Sequence, residues 1–155
     1  MVEGMRPDFI ISFNYRHIIP EEVLQLLPGK VINLHTSLLP FNRGAAPNFF
    51  SFYEDTPKGV TIHLVDKGLD TGDILCQKEL VFDETRETFA SSYETLLTEI
   101  KQLFRDNWNQ IREGRLQPVK QEGTGTYHRK RELDAIRRQK PFAWSEKIAD
   151  FKERK

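Results

Sequence analysis

At 155 residues, 38% apolar and 30% charged, the chain suits one domain with its own core. A formal net charge of +0 gives no whole-chain attraction for nucleic acid, and no apolar run is long enough to span a membrane. The single cysteine, Cys76, excludes an internal disulfide and fits a reducing cytoplasm; set in ILCQKEL, it reads as a small core residue rather than a nucleophile.

The first predicted element is DFIISF (8–13), a buried strand. PEEVLQLL (20–27) reads as a short helix with Pro20 in its first position and Glu21 and Glu22 at its positive end. Pro28-Gly29 stops it, and the strand VINLH (31–35) follows. Strand–helix–strand with short joins makes these two strands parallel neighbours. SLLPFNRGAAP (37–47) is a loop, and PNFFSFYED (47–55) reads as a helix from Pro47. GVTIHLV (59–65) and DILCQKELVF (73–82) read as strands around the loop DKGLDTG. Residues 86–112 give the strongest helical pattern, with Phe89, Tyr93, Leu96, Leu97, Ile100, Leu103, Phe104, Trp108 and Ile111 on one apolar face and Gly114 just past the end. QEGTGTYH (121–128) reads as a flexible connection, followed by short helices near 129–139 and 144–153.

Charge is uneven along the chain. Residues 1–127 hold 13 Lys+Arg and 18 Asp+Glu, a balance of −5; residues 128–155 hold 10 and 5, a balance of +5. The basic tail reads as a solvated, fraying helical end, the alternative being a surface for a partner, phosphate or RNA.

The most informative residues are Asn33, His35 and Asp70. Asn33 and His35 are two apart at the end of a strand, so both face one space. Sites in such sheets gather at the carboxyl ends of strands, where the loop at 14–18 also lies. Asp70 follows in a Gly-flanked loop after the second strand-like run. An amide suits an oxyanion, and a carboxylate orients an imidazole and favours its protonated form. Together they make a site for acyl transfer. His63 faces away from Ile62 and Leu64; a structural hydrogen-bonding role is favoured over one in the site.

NLHTSLLP (33–40), FNRGAAPN (41–48) and GVTIHLVDKGLDTGDIL (59–75) together resemble the folate-dependent formyltransferase family, over roughly residues 8–115. The resemblance implies α/β architecture: the second half of a Rossmann-like fold, a mixed, mostly parallel sheet flanked by helices, with a short helical C-terminal extension. It divides the chain into a catalytic segment, 1–120, and a linker with a basic helical extension, 121–155. The implied activity is transfer of a formyl group from 10-formyltetrahydrofolate, the co-substrate, to an amine, with no metal. PNFFSF, TPKGVTIH and GTYHRKREL point to the branch acting on nucleotide-linked amino sugars. Methionyl-tRNA and glycinamide ribonucleotide are alternative acceptors, and water is the acceptor in a hydrolase.

The resemblance implies roles for named residues. Asn33 would donate to the oxyanion, His35 would support it or move the amine proton, and Asp70 would hold His35. The pteridine would lie against Tyr15, Arg16, His17 and Ile18, with Gly68, Leu69 and Asp70 closing the other side. His17 is open between loop filler and pterin wall. Ser37, Arg43, Asn48, Tyr127 and His128 are candidates for acceptor binding, Arg43 being open between loop anchoring and substrate contact. The expected partners are a small-molecule folate and an amine acceptor, with neither membrane nor nucleic acid implied.

Family members normally carry a strand–helix–strand–helix–strand half before the counterpart of DFIISF, and no G-x-G-x-x-G is present. The chain is therefore expected to be N-terminally truncated, with a non-catalytic remnant or assembly module as the competing reading. The strand 8–13 is then an exposed edge that promotes self-association, or a homo-oligomer.

Overall fold

The computed structural model describes residues 2–155. A short helix, α1 (Val2–Met5), leads into strand β1 (Ile10–Phe13). Helix α2 (Glu21–Leu26) follows, with Pro20 as its extended N-cap (φ −60°, ψ 147°) rather than its first helical residue. Strand β2 (Val31–His35) lies parallel to β1, in the register Ile10 to Val31 and Phe13 to Leu34. The two-residue β3 (Arg43–Gly44) precedes helix α3 (Pro47–Tyr53), which begins at Pro47 as expected.

Strands β4 (Lys58–Leu64) and β5 (Ile74–Leu80) complete a four-stranded mixed sheet, in the order β1-β2-β4-β5. Its parallel pair is β1–β2; β2–β4 and β4–β5 are antiparallel. β5 stops at Leu80 and leaves Val81 94% exposed, short of the expected 82.

Helix α4 (Phe89–Arg112) covers one face of the sheet. It starts three residues later than the apolar period suggests because Thr88 caps it. Thr88 Oγ1 accepts from Ser91 N, and Ser91 Oγ accepts from Thr88 N, both at 2.9 Å. It ends in a Schellman motif: Arg115 N donates to Gln110 O and Gly114 N to Ile111 O, with Gly114 at φ +67°. Leu96, Ile100 and Ile111 pack against Ile32, Leu34, Val60 and Ile62. Tyr93, expected on that apolar face, is instead 38% exposed.

The C-terminal region is more ordered than its composition suggests. Strand β6 (Tyr127–His128) pairs with β3, and helices α5 (Lys130–Gln139) and α6 (Ile148–Glu153) follow. Leu133, Phe142, Ile148 and Phe151 enter a second core with Phe49, Phe50, Phe52 and Phe89. Four buried aromatics from α3 and α4 thus hold the tail that looked like a fraying end, each such side chain contributing several kcal/mol. The segment 121–128, expected to be flexible, is tied down. Thr126 Oγ1 accepts from Asn42 N at 2.7 Å, and Arg43 N donates to Thr126 O at 2.9 Å.

Candidate active site

The face of the sheet away from α4 carries the site. In β2, Ile32 and Leu34 turn to the core while Asn33 and His35 turn the other way. In β4, Val60 and Ile62 do the same, leaving Thr61 and His63 opposite His35 and Asn33 in the antiparallel register. The β4–β5 ladder shifts register between Ile62 and His63, at this point.

Asp70 reaches the group from the β4–β5 loop. Asp66 Oδ1 organises that loop by accepting from Gly68 N at 2.9 Å and Thr71 Oγ1 at 2.7 Å. Gly72 runs so close to β4 that a Cβ would stand 1.7 Å from Leu64 O, so no larger residue fits there. Asp70 itself is left-handed, at φ +55°, a conformation that non-glycine residues adopt at a cost when the surroundings hold them there. Gln121 does part of the holding: its Nε2 donates to the carbonyls of Asp70 and Gly72, both at 2.8 Å.

The polar atoms converge on Asp70. Its Oδ2 accepts from Gly44 N at 2.8 Å. Its Oδ1 lies 3.7 Å from His35 Nδ1, 3.6 Å from His63 Nε2 and 3.5 Å from Asn33 Nδ2. Backbone carbonyls set both imidazole tautomers. His35 Nε2 is 2.9 Å from Asn42 O and His63 Nδ1 is 2.8 Å from Leu64 O, and a carbonyl only accepts, so those nitrogens carry the hydrogens. In the neutral rings, His35 Nδ1 and His63 Nε2 are therefore bare lone pairs facing the carboxylate. Asn33 Nδ2 donates to His63 Nε2 at 3.2 Å, which also fixes the amide's orientation.

Electrostatics gives the resting charge state. Burial lowers the pKa of His35 and outweighs the opposing pull of Asp70 and of the Asn42 carbonyl. Burial alone would raise that of Asp70, but His63, His35 and the Gly44 N–H together bring it down to about 2. At neutral pH the site therefore holds an ionised carboxylate beside a neutral His35. Cys76, pushed up to about 11 by burial, is an inert thiol.

These groups lie along a cleft of about 1180 Å³, larger than a single drug-sized ligand needs. Of the residues singled out from sequence, Asn33, His35, Tyr15, Arg16, His17, Ile18, Gly68, Leu69, Asp70 and Asn48 line it. Three of its lining side chains, Tyr15, Ile18 and Leu69, are apolar and exposed, at 59%, 73% and 40%.

Other candidates fall outside the cleft lining. Ser37 is buried and donates to Phe41 O at 2.7 Å. The Arg43 guanidinium is spent on Gln121 Oε1, at 2.7 and 3.0 Å, so it anchors the loop. His128 stacks on Phe50 with centroids 3.7 Å apart, its Nε2 2.8 Å from Glu54 Oε1, and serves the second core. Tyr127 lies on the outside beside Arg129. Asn48 lines the cleft, yet its amide is engaged by Phe89 O and Ser92 Oγ at 2.9 and 3.1 Å. Sequence reasoning passed over Gly44, Gln121, Tyr93, Glu94, Lys130, Leu133 and Trp144 and ranked His63 as structural; alternation in VTIHLV was the signal for His63.

Comparison with known proteins shows the family. The sequence profile of the family described as "Formyl transferase" matches residues 1–106. The formyltransferase PseJ from Anoxybacillus kamchatkensis, solved with UDP-4,6-dideoxy-4-formamido-L-AltNAc and tetrahydrofolate, is 40% identical. It superposes with a TM-score of 0.88 over 93% of this chain and 76% of that one. A sugar N-formyltransferase from Shewanella is 29% identical, with a TM-score of 0.77 over 83% of this chain and 51% of that one. The methionyl-tRNA formyltransferase of Clostridium novyi is 37% identical over 126 residues, 81% of this chain and 40% of that protein. The chain thus spans about two fifths of the length of the curated relatives it matches.

Proposed function

The chain belongs to the formyl transferase family, and we propose that it transfers a formyl group from 10-formyltetrahydrofolate to the amino group of a nucleotide-linked amino sugar. The observation that carries this reading is the convergence of Asn33, His35, His63 and Asp70 on the floor of a cleft with room for two ligands. The ligands of the A. kamchatkensis protein support the choice of both substrates.

The cleft lining suits a flat heteroaromatic ring. Tyr15, Ile18 and Leu69 offer apolar surface, and the backbone of 15–18 offers donors and acceptors to its edge. When bound, the folate supplies the formyl carbon, whose bond to the folate nitrogen breaks as a bond to the acceptor nitrogen forms.

The chain's own residues handle charge and the proton. Asn33 Nδ2, already aimed across the floor, donates to the carbonyl oxygen as it gains negative charge. His35 Nδ1, the bare nitrogen of a neutral ring, takes the proton lost by the acceptor amine and later gives it to the leaving nitrogen. Asp70, ionised 3.7 Å away, stabilises the imidazolium in the interval. His63 holds Asn33 from the opposite side and adds a second basic nitrogen against the same carboxylate oxygen.

The test is turnover by the whole chain. Incubation with 10-formyltetrahydrofolate and a UDP-linked 4-amino-4,6-dideoxy sugar should give the formamido product by mass spectrometry and release tetrahydrofolate in equal amount. Formylation of methionyl-tRNA in place of the sugar would move the assignment to the branch of the Clostridium novyi relative. Folded protein with no turnover on either acceptor would favour the non-catalytic reading.

A further inference from the structure

We infer that Asn42, held by Thr56 and Thr126, is a positioning residue that fixes the tautomer of His35 and so keeps its Nδ1 free to take a proton. The catalytic consequence rests on the proposed function, in which His35 Nδ1 carries the proton of the acceptor amine; the tautomer itself does not.

Two acceptors compete for one hydrogen. A neutral imidazole carries a single N–H, and His35 meets an acceptor on the side of each nitrogen. Asn42 O lies 2.9 Å from Nε2, and Asp70 Oδ1 lies 3.7 Å from Nδ1. Asp70 is ionised, and a carboxylate is the stronger acceptor of the two. By charge alone the hydrogen would sit on Nδ1, and that nitrogen would have no lone pair to offer. Distance decides the other way: the carbonyl stands within hydrogen-bond range and the carboxylate outside it. The tautomer therefore depends on how firmly the Asn42 carbonyl is held.

Asn42 is held through its side chain and its backbone. It is fully buried, and its backbone is left-handed at φ +58°. Asparagine takes that conformation more readily than most residues. Its Nδ2 donates to Thr56 Oγ1 and its backbone N–H to Thr126 Oγ1, both at 2.7 Å. Thr56 is tied to α3, its N–H donating to Ser51 O at 3.0 Å. Thr126 grips the turn on both sides of Asn42, with its N–H on Pro40 O at 3.1 Å and its carbonyl accepting from Arg43 N at 2.9 Å. Gly125 permits this approach: at φ +64°, a Cβ there would stand 2.2 Å from Pro40 O.

Asn42, Thr56 and Thr126 lie outside the cleft lining, so they act through His35. Thr126 also lies beyond the stretch 1–106 that the family profile matches. Gln121, in the same segment, holds the other competitor by donating to the Asp70 carbonyl at 2.8 Å. Residues 121–126 thus fix both acceptors of the His35 ring.

The test reads the tautomer directly, on the whole chain. Nitrogen NMR of the isotopically labelled protein, recorded where the ring is neutral, separates a nitrogen bearing hydrogen from a bare one, and His35→Gln assigns the signals. In wild type, Nδ1 should be the bare nitrogen of His35. In Asn42→Ala and Thr126→Val the hydrogen should move towards Nδ1, and Thr126→Ser, which keeps the hydroxyl, should restore the wild-type pattern. The same two variants should lose about tenfold or more in kcat, with both KM values within a few-fold. Circular dichroism shows which variants fold, and Thr126→Val, away from the cleft, stands as the second variant should Asn42→Ala unfold. A bare Nδ1 that persists in every folded variant overturns the positioning role, whatever happens to the rate. Hydrogen moved to Nδ1 in a protein without turnover on any acceptor supports the positioning role and removes the proposed activity. Hydrogen moved to Nδ1 with kcat unchanged supports the control of the tautomer and removes His35 as the proton carrier.

Discussion

Asn33 and His63 stand directly opposite each other on antiparallel strands, and the Asn33 amide donates to His63 Nε2 at 3.2 Å. Because the Leu64 carbonyl holds the hydrogen of His63 on Nδ1, the ring can only accept from Asn33. The orientation of the proposed oxyanion donor is thus set by a histidine on the neighbouring strand.

Removing that partner should cost rate rather than affinity. His63→Ala frees the Asn33 amide to rotate towards Asp70, and a donor displaced by about 1 Å costs on the order of 100-fold in rate. The expected result is kcat down by roughly that factor with both KM values within a few-fold. Steady-state kinetics on both substrates checks it; a loss confined to KM contradicts the positioning role.

The acid limb of the pH profile should belong to His35. Its pKa is lowered by burial, so the ring stays neutral at pH 6.5, its ordinary midpoint, and protonates only below it. The activity, which needs the free Nδ1, should therefore fall with an inflection below 6.5. Asp70 opposes the lowering, so Asp70→Asn should move the inflection of the residual activity further down. Measuring kcat/KM against pH for both proteins decides this, and an upward move in Asp70→Asn contradicts it.

Asp70 also makes stability depend on pH. Its folded pKa of about 2 lies below the ordinary 3.8, so its contribution is complete above 3.8 and is lost as pH falls through 2. That shift corresponds to about 2 kcal/mol. Urea denaturation between pH 5 and pH 2 should show the loss, and Asp70→Asn should remove it from that window. An equal decline in the variant would assign the acid sensitivity to other groups.

Gln121 couples the C-terminal segment to the site. It accepts from Arg43 and donates to the carbonyls of Asp70 and Gly72, so Gln121→Ala strips partners from three groups at once. A destabilisation of about 1–3 kcal/mol is expected, with a lower kcat as the left-handed Asp70 loosens. Thermal unfolding and single-turnover rates report the two effects separately; unchanged values in both would show that the loop holds Asp70 unaided.

Much of this site was legible because strands leave a period-two signature. VINLH places Ile32 and Leu34 on one face and Asn33 and His35 on the other, and the structure keeps that division. Asp70 stood out by its glycine-flanked loop and by family resemblance. His63 was harder, because nothing local reveals that β2 and β4 pair antiparallel and put it against Asn33. Ser37, Arg43, Tyr127 and His128 looked like recognition residues because polar groups in loops often are. Here Ser37, Arg43 and His128 are engaged within the chain itself. The tail was misread for the opposite reason: Ile148 and Phe151 are too sparse to declare a core face, and their partners lie about a hundred residues earlier, in α3. Long-range aromatic packing leaves no periodic trace in the segment that depends on it.

The most direct measurement is the rate of formyl transfer from 10-formyltetrahydrofolate to a UDP-linked 4-amino sugar by wild type, Asn33→Ala and Asp70→Asn. Product from wild type, with a fall of about 100-fold or more in Asn33→Ala and a severe loss in Asp70→Asn, is the predicted result. Folded wild-type protein that binds both ligands without forming product, or variants that match it in rate, would contradict it.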